Sequence, residues 1–255
     1  MLVMGILNVT PDSFADGGKH NELDAAVSRG LEMISEGVDI IDIGGESTRP
    51  GAERVDEEEE LRRTIPVIEK IAPYVEKNGV KISIDTMRAS VAKAAVKAGA
   101  TIINDVSAGQ SDQEMLSTAA KLNVPYIAMH WRGYSKDMNS KAVYRDVVSE
   151  TISELEERIH AALSQGVKKE NLIIDPGLGF AKDSEHNWAI IEAMDRFVDL
   201  GYPVLVGGSR KRFLGGDSPD QREEATINLT KKLKDTGIWA VRVHSVKPHK
   251  EVIGQ

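Results

Sequence analysis

Eight places along this chain put a group able to do chemistry directly at the end of a short apolar run. Asn8 follows 2–7, and Glu46-Ser47-Thr48-Arg49 follow 38–43. Asp85, Asn104, His130 and Asp175 each close one run, Ser209-Arg210-Lys211 follow 203–206, and Arg242 and His244 end the last. The set divides by charge. Asp85, Asn104 and Asp175 offer carboxylates and an amide, which suit a planar heterocycle carrying several N–H donors. Lys211, Arg242, His244 and Arg49 are cationic, and GGSRK at 207–211 brings backbone amides, a hydroxyl and two cations, Arg210 and Lys211, to one short connection. That grouping suits a phosphate or diphosphate. Asn8 and the hydroxyls near it are hard oxygen ligands of the kind that hold a phosphate-bridging Mg²⁺. No His/Glu spacing suggests zinc, whose catalytic sites take three protein ligands, so His130 reads as a supporting histidine. The chain has no cysteine, which excludes a thiolate nucleophile, a disulfide scaffold and a cysteine metal site.

These groups need elements to bring them together. The apolar runs at 2–7, 38–43, 81–84, 101–103, 125–129, 172–174, 203–206 and 239–243 are nearly continuous rather than alternating. That pattern suits parallel strands covered on both faces. Between them lie amphipathic stretches. In 22–36, Leu23, Val27, Leu31 and Ile34 share one helical face, with Asn21 as the expected N-cap. Asp56 is placed to cap the next helix, and Ser218-Pro219-Asp220-Gln221 reads as a capping box. Each strand after the first is preceded by Gly37, Gly79, Gly99, Asn123, Gly166, Gly201 or Gly237, residues that tolerate a left-handed helix end. Seven such joints linking eight strands, with no flexible linker, predict an α/β fold: a single (β/α)₈ TIM barrel over residues 1–255. A doubly wound open sheet is the alternative. In a barrel the strand ends share one rim, and strands seven and eight are a common phosphate site.

Composition bounds the function. Hydrophobic content of 41% and charged content of 28% are ordinary for a soluble globular protein. A net charge of −8 speaks against nucleic acid as the main partner. No run of eighteen apolar residues exists, so no membrane span is expected. The N-terminus shows no basic segment followed by an apolar one, and a cytoplasmic enzyme is the expectation.

The motifs GILNVTPDSF (5–14), DIGGESTRPGA (42–52), ISIDT (82–86), IINDVS (102–107), IDPGLGF (174–180), GGSRKRFLG (207–215) and RVH (242–244) resemble dihydropteroate synthase, in family order along nearly the whole chain. The resemblance implies condensation of 6-hydroxymethyl-7,8-dihydropterin diphosphate with 4-aminobenzoate, giving 7,8-dihydropteroate and diphosphate in folate biosynthesis. It implies that Asp175, Asn104, Asp85 and Lys211 bind the pterin, with Lys211, Asp85 and Asp175 carrying the catalysis. Asn8 would hold Mg²⁺, and Asn8, Thr48, Arg49, Arg242 and His244 would bind the diphosphate. Phe14, Pro50, Phe180 and Ser209, beside Lys211, would shape the aminobenzoate site, and NVTPDSF and ESTRPGA would be loops that close over both substrates. Family chemistry has diphosphate leave first, giving a pterin cation that the amine captures.

The partners implied are these small molecules and, by resemblance, a second copy in a homodimer. The polar segment at 228–237 and the brief tail after His244, with Pro248, depart from the family pattern in the region that family dimers use. Two rivals share the fold: a pterin-binding methyltransferase, which has no need of the S-R-K and R-V-H cations, and a non-catalytic pterin-binding paralogue, which need not keep Lys211, Asp85 and Arg242.

Overall fold

The computed structural model describes residues 1–10, 18–47, 54–134 and 136–254, the side chains of 18–21 and 139 aside. Its strands are β1 (Leu2–Asn8), β2 (Ile40–Gly44), β3 (Lys81–Asp85), β4 (Ile102–Asp105), β5 (Tyr126–Met129), β6 (Leu172–Asp175), β7 (Leu205–Val206) and β8 (Ala240–Val243). They alternate with α1 (Gly18–Ser35), α2 (Glu57–Asn78), α3 (Ala89–Ala98), α4 (Met115–Leu122), α5 (Val147–Ser164), α6 (Ser184–Glu192), α7 (Met194–Val198), α8 (Glu223–Leu233) and α9 (Lys247–Ile253). The hydrogen-bonded order is β6-β5-β4-β3-β2-β1-β8-β7. The ring closes through a parallel bridge between Ile174 and Val204, where the Ile174 amide donates to the Pro203 carbonyl at 2.9 Å. That closure makes the (β/α)₈ barrel and excludes the open sheet. No helix among the described residues is long and apolar enough to cross a membrane.

Local chemistry explains the alternation. All seven expected joints have positive φ, from 53° at Asn123 to 124° at Gly99, which lets each helix end and the next strand begin within a few residues. Asp56 caps α2 by accepting from the Glu59 amide at 2.8 Å. Ser218 and Gln221 exchange hydrogen bonds as a capping box does, the Gln221 side chain accepting from the Ser218 amide at 3.2 Å and the Ser218 hydroxyl from the Gln221 amide at 3.4 Å. They open a short 3₁₀ turn, Asp220–Arg222, that leads into α8. One expectation is corrected: α1 begins at Gly18, so Asn21 lies inside the helix and is not its cap.

The barrel interior is layered, and the layers explain the site. Met4, Ile40, Ile102, Ile127, Ile173, Leu205 and Ala240 pack together as one apolar floor. Side chains alternate faces along a strand, so the residue two positions further on points the same way, one layer higher. Above Ile40, Ile102, Ile127, Ile173, Leu205 and Ala240 stand Asp42, Asn104, Met129, Asp175, Gly207 and Arg242. On β3, Asp85 stands above buried Ser83. The larger core lies outside the strands, where α2 buries Val67, Ile68, Ile71 and Val75 against the sheet. Truncating a residue such as Ile68 to alanine would cost about 2–5 kcal/mol. The floor thus gives the polar layer a rigid base.

Candidate active site

Arg242 anchors that polar layer. Its Nε donates to Asp42 Oδ2 at 2.6 Å and its Nη2 to Asp85 Oδ2 at 2.7 Å. Asn104 Nδ2 donates to the same Asp42 oxygen at 3.1 Å. Asp42 is fully buried, and its Oδ1 has no hydrogen-bond partner among the described residues. Burial, reinforced by the charges of Asp42, Glu60 and Asp105, pushes the Asp85 carboxyl up to about 7, against the pull of Arg242. One guanidinium shared between two carboxylates leaves acceptor lone pairs over, those of Asp42 Oδ1 among them.

On the opposite wall stands Asp175. Its Oδ1 accepts from the Gly177 amide at 2.7 Å, and burial raises its pKa while Lys211, Arg242 and Lys182 oppose the rise. Gly207 lies between Asp175 and Arg242: a Cβ added there would meet Asp175 Oδ2 at 3.7 Å and Arg242 Cβ at 3.9 Å. Lys211 comes in over the β6–α6 connection, with its Nζ on the Leu178 carbonyl and 4.5 Å from the centre of the Phe180 ring. Burial lowers its amine to about 8, with the Asp175 charge acting against the fall.

Beside the cations, Ser209 Oγ and His244 Nδ1 are 2.9 Å apart, which joins the β7 and β8 ends into one edge. Arg210 is a correction to the two-cation reading of GGSRK. Its backbone is left-handed, and its side chain turns outward to Glu223 at 2.6 Å and Asp220 at 3.6 Å. Glu46 is likewise taken by cations, Arg54 and Arg88, each at 3.0 Å. Phe14, Thr48, Arg49 and Pro50 lie outside the described residues. His130 is buried, with Lys182 Nζ on Nδ1 at 2.7 Å and Glu154 on Nε2 at 2.9 Å. Burial and the Lys182 charge lower its pKa to about 4, which leaves it a neutral acceptor toward Lys182.

The structure thus brings Asp85, Asn104 and Asp175 into one buried layer with half-buried Arg242 set among them, and Lys211, Ser209, His244 and Phe180 around its edge. Sequence reasoning missed Asp42 and Lys182. A signal for Asp42 was present, since an aspartate amid IIDIGG keeps the inward phase of Ile40. Lys182 carried none, because a lysine after a turn normally reads as solvated.

A closed barrel with a hydrogen-bonding slot walled by carboxylates and edged by cations defines an enzyme of the heterocycle-binding (β/α)₈ class. Comparison narrows it. A sequence profile of the family described as pterin binding enzyme matches residues 4–244. The dihydropteroate synthase of Bacillus subtilis (strain 168) is 49% identical over 249 residues, 96% of this chain and 84% of that protein. The Xanthomonas albilineans dihydropteroate synthase with 4-aminobenzoic acid superposes with a TM-score of 0.92 at 44% identity, covering 99% of this chain and 90% of that one. The same enzyme in complex with 7,8-dihydropteroate gives 0.88 at 41% identity, over 99% and 91% of the two chains. The chain belongs to the pterin-binding enzymes and, within them, to the dihydropteroate synthases.

Proposed function

We propose that the slot holds 6-hydroxymethyl-7,8-dihydropterin diphosphate with its ring among Asp85, Asn104 and Asp175, and joins its methylene carbon to the amine of 4-aminobenzoate. The observation that carries this reading is the buried acceptor layer, with Arg242 set into it and Lys211 at its edge. The carboxylates take the pterin's ring N–H and amino groups. Arg242, His244 and Asn8, with Thr48 and Arg49, take the diphosphate. Phe180, Ser209 and Lys211, with Phe14 and Pro50, take the aminobenzoate.

The bond between the methylene carbon and the diphosphate oxygen breaks with its electron pair going to oxygen. The pterin ring spreads the resulting positive charge. Asp85 and Asp175 stabilise that cation electrostatically, while Arg242 and Lys211 stabilise the departing anion; fixed charges in a dry site act without reorganising. The aniline nitrogen then bonds to the carbon and loses a proton, and the slot excludes the water that would otherwise capture the cation.

Mg²⁺ fits this reading in one way. Among the described residues no group of three His, Cys, Asp or Glu could hold a metal. A single hard oxygen from Asn8, completed by diphosphate oxygens and water, fits, since Mg²⁺ is commonly bound through substrate phosphates. When bound it neutralises charge on the leaving group. The same reading carries a cytoplasmic location and, by resemblance, a homodimer.

The test is direct. Purified protein with both substrates and Mg²⁺ should release diphosphate and form dihydropteroate, and omission of 4-aminobenzoate should stop dihydropteroate formation. Absence of both products with both substrates present would sink the reading. A methyltransferase would instead transfer a methyl group from a methylated pterin without diphosphate chemistry.

A further inference from the structure

The connection between β6 and α6 takes left-handed backbone at three residues, two of them glycines and one an alanine. Gly177, Gly179 and Ala181 have φ of 70°, 77° and 48°. For alanine the left-handed region costs about 1–2 kcal/mol, so the loop needs support from outside. Lys182 supplies much of it. Its side chain is buried at 7% exposure, and its Nζ lies 2.7 Å from His130 Nδ1, 3.3 Å from the Gly177 carbonyl and 3.2 Å from the Phe180 carbonyl. An ammonium has three N–H donors, and here three acceptors meet it. Asn187 supports the other side, accepting from the Gly179 amide at 2.6 Å.

The anchoring point is the barrel wall. The His130 amide donates to the Asp175 carbonyl at 2.8 Å, tying the ends of β5 and β6 together. Glu154 and Arg132 complete the outer end of the chain of contacts. The working end of the loop is the segment that meets Lys211: the Leu178 carbonyl takes its amine, and the Phe180 ring lies against it.

We infer that Lys182 is a positioning residue, which fixes the β6–α6 loop so that the Phe180 ring lies against Lys211 on the aminobenzoate side of the site. This rests on the dihydropteroate synthase reading. Keeping an ammonium in that place is unfavourable: burial lowers the Lys182 amine to about 7. A methionine would fill the space without burying a polar nitrogen, so the amine is accounted for by the contacts it makes with His130, Gly177 and Phe180.

Lys182→Met keeps most of the apolar stem and removes all three donors. We expect the KM for 4-aminobenzoate to rise at least about tenfold, in line with the loss of several hydrogen bonds, while the KM for the pterin diphosphate changes less than about threefold. In a Phe180→Ala background the same substitution should add less than about twofold, because the loop no longer has a ring to place. A role in stability alone would lower the melting temperature and leave both KM values unchanged, or act equally in both backgrounds; either outcome overturns the inference. Should Lys182→Met fail to fold, His130→Gln removes only the anchor on the wall. It should give a smaller rise, again confined to 4-aminobenzoate and again absent in Phe180→Ala; an unchanged KM would overturn the inference equally. Wild-type protein that forms no dihydropteroate refutes the reaction itself, and variants with wild-type KM values refute only the role of Lys182.

Discussion

Replacing Asp42 by asparagine probes the arrangement of charge in the slot. Asp42 and Asp85 bind adjacent nitrogens of one guanidinium, at 2.6 and 2.7 Å, so their oxygens face each other across a short gap. Two unit charges on the order of 4 Å apart repel by about 4 kcal/mol at an effective dielectric of about 20. The guanidinium between them cancels much of this; leaving a third of it gives about 1.4 kcal/mol, or about one pH unit. Asp42→Asn removes the repulsion and frees Arg242 for Asp85 alone, and both effects lower the Asp85 pKa. Burial pushes the Asp85 carboxyl up to about 7, and in the proposed reaction its ionised form is the one that accepts from the pterin. The acid limb of kcat/KM for the pterin diphosphate, which reports free-enzyme groups, should therefore stand near 7 in the wild type. In the variant it should move down by about one unit or more. The assay is continuous diphosphate release from about pH 5 to about pH 9 with 4-aminobenzoate saturating. Folding should survive, with stability changed by less than about 3 kcal/mol, because the buried charge that is lost was itself costly. An acid limb that stays in place or moves upward would refute the shared-guanidinium account.

Two further predictions concern the amines. Lys211→Ala should lower kcat/KM at least about a hundredfold, the usual scale for a donor that meets developing charge; initial rates with both substrates varied would check it, and full activity would remove Lys211 from the reaction. Lys182 and Lys211 have native pKa values of about 7 and about 8, against about 10.4 for an unfolded lysine. Between those values the unfolded chain binds more protons, so these groups add stability as pH rises. From about pH 7 to about pH 9 the melting temperature should hold or increase while kcat/KM falls as Lys211 loses its charge; a parallel fall in both would contradict the assignment.

The fold was legible because each signal was local. Seven residues that tolerate positive φ marked seven helix-to-strand joints, and each adopts that conformation; the capping aspartate of α2 also acts where its position indicates. The strand ends were legible because parallel strands in a barrel share a polarity. What failed depended on tertiary context. Arg210 stands between two residues that edge the slot, yet its left-handed backbone sends it to Glu223. Asn21 has a capping side chain, but α1 runs past it toward the N-terminus. Lys182 follows a turn and reads as exposed until the β5 end is seen to cover it. Asp42 could have been found from strand phase alone, although its partner Arg242 lies 200 residues away.

The central claim is that the pterin sits among the buried acceptors, and its affinity for Asp175→Asn tests this most directly. Asparagine keeps the size but turns one acceptor into a donor facing the pterin's own donors. Calorimetric titration of the variant with the pterin diphosphate should give a Kd raised about tenfold to a hundredfold, the range for losing one hydrogen bond to a charged group, with the melting transition retained. An unchanged Kd would place the pterin elsewhere and contradict the account.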